Sequence, residues 1–115
     1  MPHPDAISAA LRGATVHDDG VVVYALEGEI DMGGADALHR RIVGLASSPT
    51  GDIVLDMAGV SFVDSSGLRS LITARDAVLA AGHGFRLRGA SPEVRRLLEL
   101  VGLLELFEAG DDPAA

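Results

Sequence analysis

The chain has no cysteine, so it can build neither a disulfide nor a thiolate metal site, a usage compatible with a reducing compartment. It has no run of Lys or Arg either: 17 acidic residues stand against 9 basic ones, for a formal charge of −8. A phosphate backbone rewards a basic face, so nucleic acid is not an expected partner, and the acidity suits docking on a basic protein surface. No apolar run approaches the roughly 20 residues needed to span a bilayer. Met1-Pro2-His3-Pro4 lacks both the charged and the apolar region of a secretory signal. These absences predict a cytoplasmic protein that does not engage the membrane. Catalytic signatures are missing as well. There is no Gly-x-Ser-x-Gly elbow and no Gly-x4-Gly-Lys phosphate loop. His3, His17 and His83 fall in loops or at element ends, and His39 is expected on the solvated face of the first helix, so no serine is given a base. The expectation is a protein that is not an enzyme and carries no cofactor.

What remains, 115 residues of which 48% are hydrophobic, fits one domain with a core of its own. Its organising stretch is residues 52–71, DIVLDMAGVSFVDSSGLRSL. Two apolar runs, Ile53-Val54-Leu55 and the residues 60–63, lead into the polar turn Asp64-Ser65-Ser66-Gly67, after which Leu68, Leu71, Ile72 and Leu79 recur at helical spacing. A buried strand therefore delivers a helix whose first turn carries hydroxyls. The free N–H groups of that turn present partial positive charge, and an anion attached to Ser65 or Ser66 is locally favoured there. Capping is the simpler use of such residues, since Asp64, Ser65 and Ser66 are all good N-caps. Two adjacent hydroxyls and a Gly exceed what one cap requires, and Gly67, costly in a helix, suits close approach by another molecule.

Around this stretch the chain reads in order. Residues 1–13 read as a loose arm. Residues 14–17 and 21–26 form two strands joined by the hairpin signal Asp18-Asp19-Gly20. Asp31 stands where the next helix begins, with Gly33-Gly34 loosening its start. Ala35, Leu38, Ile42 and Leu45 give that helix one apolar stripe. After a turn over residues 47–51, residues 52–57 return as a buried strand, which makes a parallel crossover. The central helix spans about 65–81 and ends at Gly82-His83-Gly84. Phe85-Arg86-Leu87-Arg88 alternates like a strand near a sheet edge. Ser91-Pro92-Glu93 is a cap, a first-position proline and a first-turn acid, and Val94, Leu97, Leu98 and Val101 form the stripe of the helix that follows. Residues 103–107 suit one more short strand, and residues 109–115 a frayed tail. The fold expected is α/β: a small mixed sheet, first an antiparallel hairpin and then parallel strands, with the helices packed mainly on one face. Met32 and Met57 are expected to pack, as are Val60, Phe62, Val63 and Leu68, some of which can form a patch beside the 64–67 turn. Asp31, Asp56 and Asp64 fall at one end of a parallel sheet. Three carboxylates can hold a hard cation, yet without a histidine they are better read as caps and loop acceptors, and no metal is expected.

The arrangement Leu26-x-Gly28-Glu29-Ile30-Asp31, then Val60-x-Phe62-x-Asp64-Ser65-Ser66-Gly67-Leu68, then Ser91-Pro92-x-Val94-x-Arg96-Leu97-Leu98-x-x-x-Gly102-Leu103 resembles the STAS domain of bacterial anti-anti-sigma factors over residues 14–108. The resemblance implies an anti-sigma factor antagonist. Such a protein binds an anti-sigma factor that is itself a serine kinase with a histidine-kinase-like ATPase fold, frees the sigma factor, and is reset by a metal-dependent Ser/Thr phosphatase. By the same resemblance the phosphoacceptor is Ser65, the residue after the motif Asp, with Ser66 as its neighbour and second candidate. Asp31 matches the family's acidic residue near the acceptor. The surface expected to meet the partner comprises Asp31, Asp64, Ser65, Ser66, Gly67 and Leu68. Met32-Gly33-Gly34 departs from the polar residues that relatives carry after the Asp. A STAS module serving as a scaffold or as part of a transporter is the alternative, and a nucleotide-binding or hydrolytic protein is a distant third for want of a phosphate loop.

Overall fold

A computed structural model describes residues 5–47 and 51–103. Along the chain run β1 (Asp5–Ala6), β2 (Leu11–Asp18), β3 (Val21–Ile30), α1 (Ala35–Ala46), β4 (Asp52–Val63), α2 (Ser65–Ala80), β5 (Phe85–Arg88) and α3 (Pro92–Leu100). The strands form one sheet in the order β1-β2-β3-β4-β5. The first two pairings are antiparallel, while β3–β4 and β4–β5 are parallel.

The β2–β3 hairpin closes through Asp19 and Gly20, whose φ values of 48° and 79° are both positive, as a two-residue turn matched to strand twist requires. In β3 the inward residues alternate as Val22, Tyr24 and Leu26, and across the ladder Val22 pairs with Ile53 and Tyr24 with Leu55. Phe85 and Leu87 continue the same face on β5. Against it pack Leu38 and Ile42 of α1, Leu71, Ala74 and Val78 of α2, and Val94 and Leu98 of α3, all in one core cluster. The helices thus cover mainly one face of the sheet, as their single apolar stripes predict.

Two findings differ from the sequence reading. From residue 5 onward the expected loose arm, residues 1–13, is corrected. Asp5 and Ala6 pair with Gly13 and Arg12, Ile7 and Leu11 are buried, and the Ala10 carbonyl accepts from the Glu29 amide at 2.8 Å. Arg41 on α1 forms an ion pair with Asp5. The segment holds because its two apolar side chains reach the core. The second difference is the length of β4, twelve residues in place of six. Register shifts opposite the Ala25/Glu27 and Gly28/Glu29 steps let the strand run through Ala58 and Gly59 to Val63. The strand expected over 103–107 lies, beyond Leu103, outside the described residues, as does the expected tail over 109–115.

Candidate functional site

Parallel pairing sets the site. Ile30 and Val63 are register partners at the ends of β3 and β4, so the residues that follow each strand emerge side by side. The Asp64 amide donates to the Ile30 carbonyl at 3.1 Å, which extends the pairing one residue into the turn. This is how Asp31 and Ser65, far apart in sequence, come to the same end of the sheet.

Asp64 caps α2 from an extended backbone, φ −96° and ψ −176°. Its Oδ1 accepts from the Gly67 amide at 2.8 Å, and its Oδ2 accepts from the Met32 amide at 3.2 Å. One carboxylate therefore holds both the start of α2 and the β3–α1 loop. Asp31 works locally: its Oδ1 accepts from the Gly33 amide at 3.0 Å, and its carbonyl takes the Gly34 and Ala35 amides. With Gly34 as cap and no side-chain bond there, α1 begins four residues after Asp31.

Ser65 is the first residue of α2 and is exposed, and among the described residues its hydroxyl has no hydrogen-bond partner. Ser66 is half-buried and lines a groove of about 460 Å³ between α1 and α2, together with Met32, Asp36, His39, Arg69 and Thr73. Across that groove Thr73 Oγ1 and His39 Nδ1 lie 3.2 Å apart. His39 was expected on a solvated face; it is half-buried where α1 packs on α2, and this contact is itself exposed to solvent.

The structure corrects the reading of Gly67 as a place of approach for another molecule. A Cβ there would lie 2.4 Å from the Ile30 carbonyl oxygen and 2.8 Å from Ile30 Cγ2, so the close neighbour is the chain's own β3. Gly67 is buried, and Leu68, also expected to touch a partner, is packed into the core. Both shape the helix start instead. Met32 moves the other way: expected to pack, it is 79% exposed, whereas Met57 is fully buried. Phe62 is 48% exposed beside the buried Val60 and Val63, which makes it the member of that apolar run that reaches the surface. Sequence reasoning missed Met32 because an apolar residue between an Asp and two glycines carries no period; its departure from the motif pattern was the one signal available.

The three carboxylates expected at this end are engaged separately. Asp56 accepts from the Ala58 amide at 3.0 Å and pairs with Arg88 at 3.4 Å, whereas Asp31 and Asp64 serve loop amides. Among the described residues no three His, Asp or Glu side chains converge as a metal site requires. The chemistry left to the site is that of an accessible hydroxyl at a helix N-terminus, in an acidic setting, on a surface held by amide–carboxylate bonds.

A model of the STAS domain family matches residues 14–114, and the chain belongs to that family. It is 32% identical over 109 residues to the anti-sigma-F factor antagonist RsfB of Mycobacterium tuberculosis, covering 93% of this chain and 84% of that one. The crystal structure of an anti-sigma factor antagonist from Mycobacterium paratuberculosis superposes with a TM-score of 0.72 at 31% identity, covering 86% of this chain and 84% of that one. A sulfate transporter family protein from Wolinella succinogenes shares the fold, with a TM-score of 0.70 at 22% identity over 84% of this chain and 78% of that one.

Proposed function

We propose that this STAS domain is an anti-sigma factor antagonist. It docks on an anti-sigma factor serine kinase of histidine-kinase-like ATPase fold through the surface around Asp31, Asp64, Ser65 and Ser66, frees the sigma factor, and is switched off when the kinase phosphorylates Ser65. A metal-dependent Ser/Thr phosphatase restores the active form, and the setting is the cytoplasm. The observation that carries this reading is Ser65 itself, an exposed hydroxyl without a partner among the described residues at the first position of a capped helix. The names of the relatives support the class of function.

Phosphate on Ser65 adds about −1.5 to −2 charge at neutral pH, which the helix N-terminus tolerates, so the fold survives. Inside a docked interface the same dianion sits near two carboxylates and has to shed its water. A penalty of only about 3 kcal/mol weakens binding more than a hundredfold, enough to release the anti-sigma factor. A scaffold or transporter-associated module is the second reading, prompted by the sulfate transporter family protein, and at that identity the likeness extends to fold alone. No described helix is long and apolar enough to cross a membrane, and a scaffold has no use for a free acceptor hydroxyl. The test is incubation with the kinase and ATP followed by peptide mass mapping. Phosphate on Ser65 is expected, and phosphate found only at other residues overturns the proposal.

A further inference from the structure

We infer that Met32 anchors the partner: it is an apolar plug that enters a socket on the anti-sigma kinase, an inference that rests on Ser65 being the residue that kinase modifies. Methionine normally fills core gaps, as Met57 does here at 0% exposure, yet Met32 stands 79% exposed. Nor is it exposed on a loose end. The Met32 amide donates to Asp64 Oδ2 at 3.2 Å and the Gly33 amide to Asp31 Oδ1 at 3.0 Å. The Gly34 and Ala35 amides donate to the Asp31 carbonyl at 3.1 and 3.0 Å. Every amide from residue 32 to residue 35 is therefore tied down. A side chain presented on a fixed backbone costs less entropy to bind than one on a free loop.

Its position decides what meets it. Asp64, which holds the Met32 amide, is the residue directly before Ser65, and Ser66 lines the same groove as Met32. A kinase has to bring the terminal phosphoryl group of ATP to bonding distance of Ser65 Oγ, and a protein surface that does so covers Met32. Covered by apolar groups the side chain gains from lost water contact; covered by polar groups it gains nothing. The rim carries charge of both signs. Asp31 precedes Met32, and the exposed Asp36 and Arg69 line the groove with it, so a socket that offers a basic group to the aspartates and an acidic one to Arg69 complements this site. The unbranched thioether adapts to the shape of such a socket, and Leu is its closest substitute in volume.

The experiment uses the full chain, the purified serine kinase and ATP, with Met32→Ala, Met32→Lys and Met32→Leu. Binding is measured by calorimetry with a non-hydrolysable ATP analogue, and phosphate on Ser65 is followed to obtain kcat and KM for the chain. Because Met32 is exposed, the three variants are expected to match wild type in circular dichroism. Met32→Ala should raise Kd and KM by roughly ten- to a hundredfold, the range for burying one such side chain, while kcat at saturation stays within about twofold. Met32→Lys should weaken binding at least as much, and Met32→Leu should return it to within about threefold of wild type, as volume-conserving swaps do. A Met32→Ala chain that is phosphorylated on Ser65 with wild-type KM and binds with wild-type Kd overturns the assignment of Met32 and leaves the acceptor assignment standing. Absence of phosphate on Ser65 in the wild-type chain overturns the reading beneath it and the inference together.

Discussion

Tyr24, the single tyrosine of the chain, is 3% exposed, and its hydroxyl has no hydrogen-bond partner among the described residues. Burial pushes its phenol up to about 12. The nine basic residues are all arginine and there is no cysteine, so no other side chain titrates between pH 9 and 12. The unfolded chain loses the phenolic proton near pH 10 while the folded chain keeps it, so stability is fully present below pH 10 and falls as pH rises toward 12, by about 2 to 3 kcal/mol. Urea titrations across this range should show the loss in wild type and its disappearance in Tyr24→Phe, with stability at pH 7 unchanged or slightly higher because an unsatisfied hydroxyl is removed. A Tyr24→Phe chain that keeps the same alkaline loss contradicts the assignment. At Gly67 the pressure is steric. A methyl group there meets the Ile30 carbonyl oxygen at 2.4 Å, so Gly67→Ala should lower stability by about 1–3 kcal/mol, although alanine is the better helix former. A urea midpoint unchanged or raised in Gly67→Ala would show that β3 yields at that point.

Elements were legible where local chemistry sets them. Ser91 caps α3 by accepting from the Val94 amide at 3.2 Å, Pro92 is its first residue, and the Asp19-Gly20 turn closes the first hairpin, all as residue type and order predict. The helix start at Ser65 was legible in the same way, and of the three cap candidates Asp64, Ser65 and Ser66 the structure uses Asp64. What stayed hidden depends on partners distant in sequence. Ile7 and Leu11 give no strand signal of their own, and the segment is fixed only when β3 offers the Glu29 amide and α1 offers Arg41. The bulges of β4 broke its alternation, which split one strand into two apparent runs and left the outward turn of Phe62 unforeseen. The second bond of Asp64 was likewise out of reach, because the Met32 amide it accepts from lies 32 positions away. That bond makes a prediction at this scale. Asp64→Ala removes a cap and a loop tie together and should cost about 1–2 kcal/mol. Hydrogen exchange should quicken at the Gly67 and Met32 amides together. Quickening at Gly67 alone would mean that the loop holds without the carboxylate.

Across the molecule the charge is −8, and if the proposed partner docks beside Ser65 it meets Asp31 and Asp64. Association with a basic-rimmed kinase should slow as salt rises, since steering acts over a Debye length of about 10 Å at 0.1 M. Stopped-flow rates at increasing salt check this, and a flat dependence would place the interface away from the acidic end of the sheet. On the proposed function the same surface carries the switch. Phosphate on the exposed Ser65 should then leave the core untouched and change only what the partner meets, so activity and fold should separate cleanly. The most direct measurement is the dissociation constant of the kinase for three forms of the chain: unmodified, Ser65→Ala, and stoichiometrically phosphorylated on Ser65. Unmodified and Ser65→Ala chains should bind alike, and the phosphorylated chain should bind more than a hundredfold more weakly with an unchanged circular dichroism spectrum, the consequence of a penalty of about 3 kcal/mol. A phosphorylated chain that binds the kinase as tightly as the unmodified one would contradict the account.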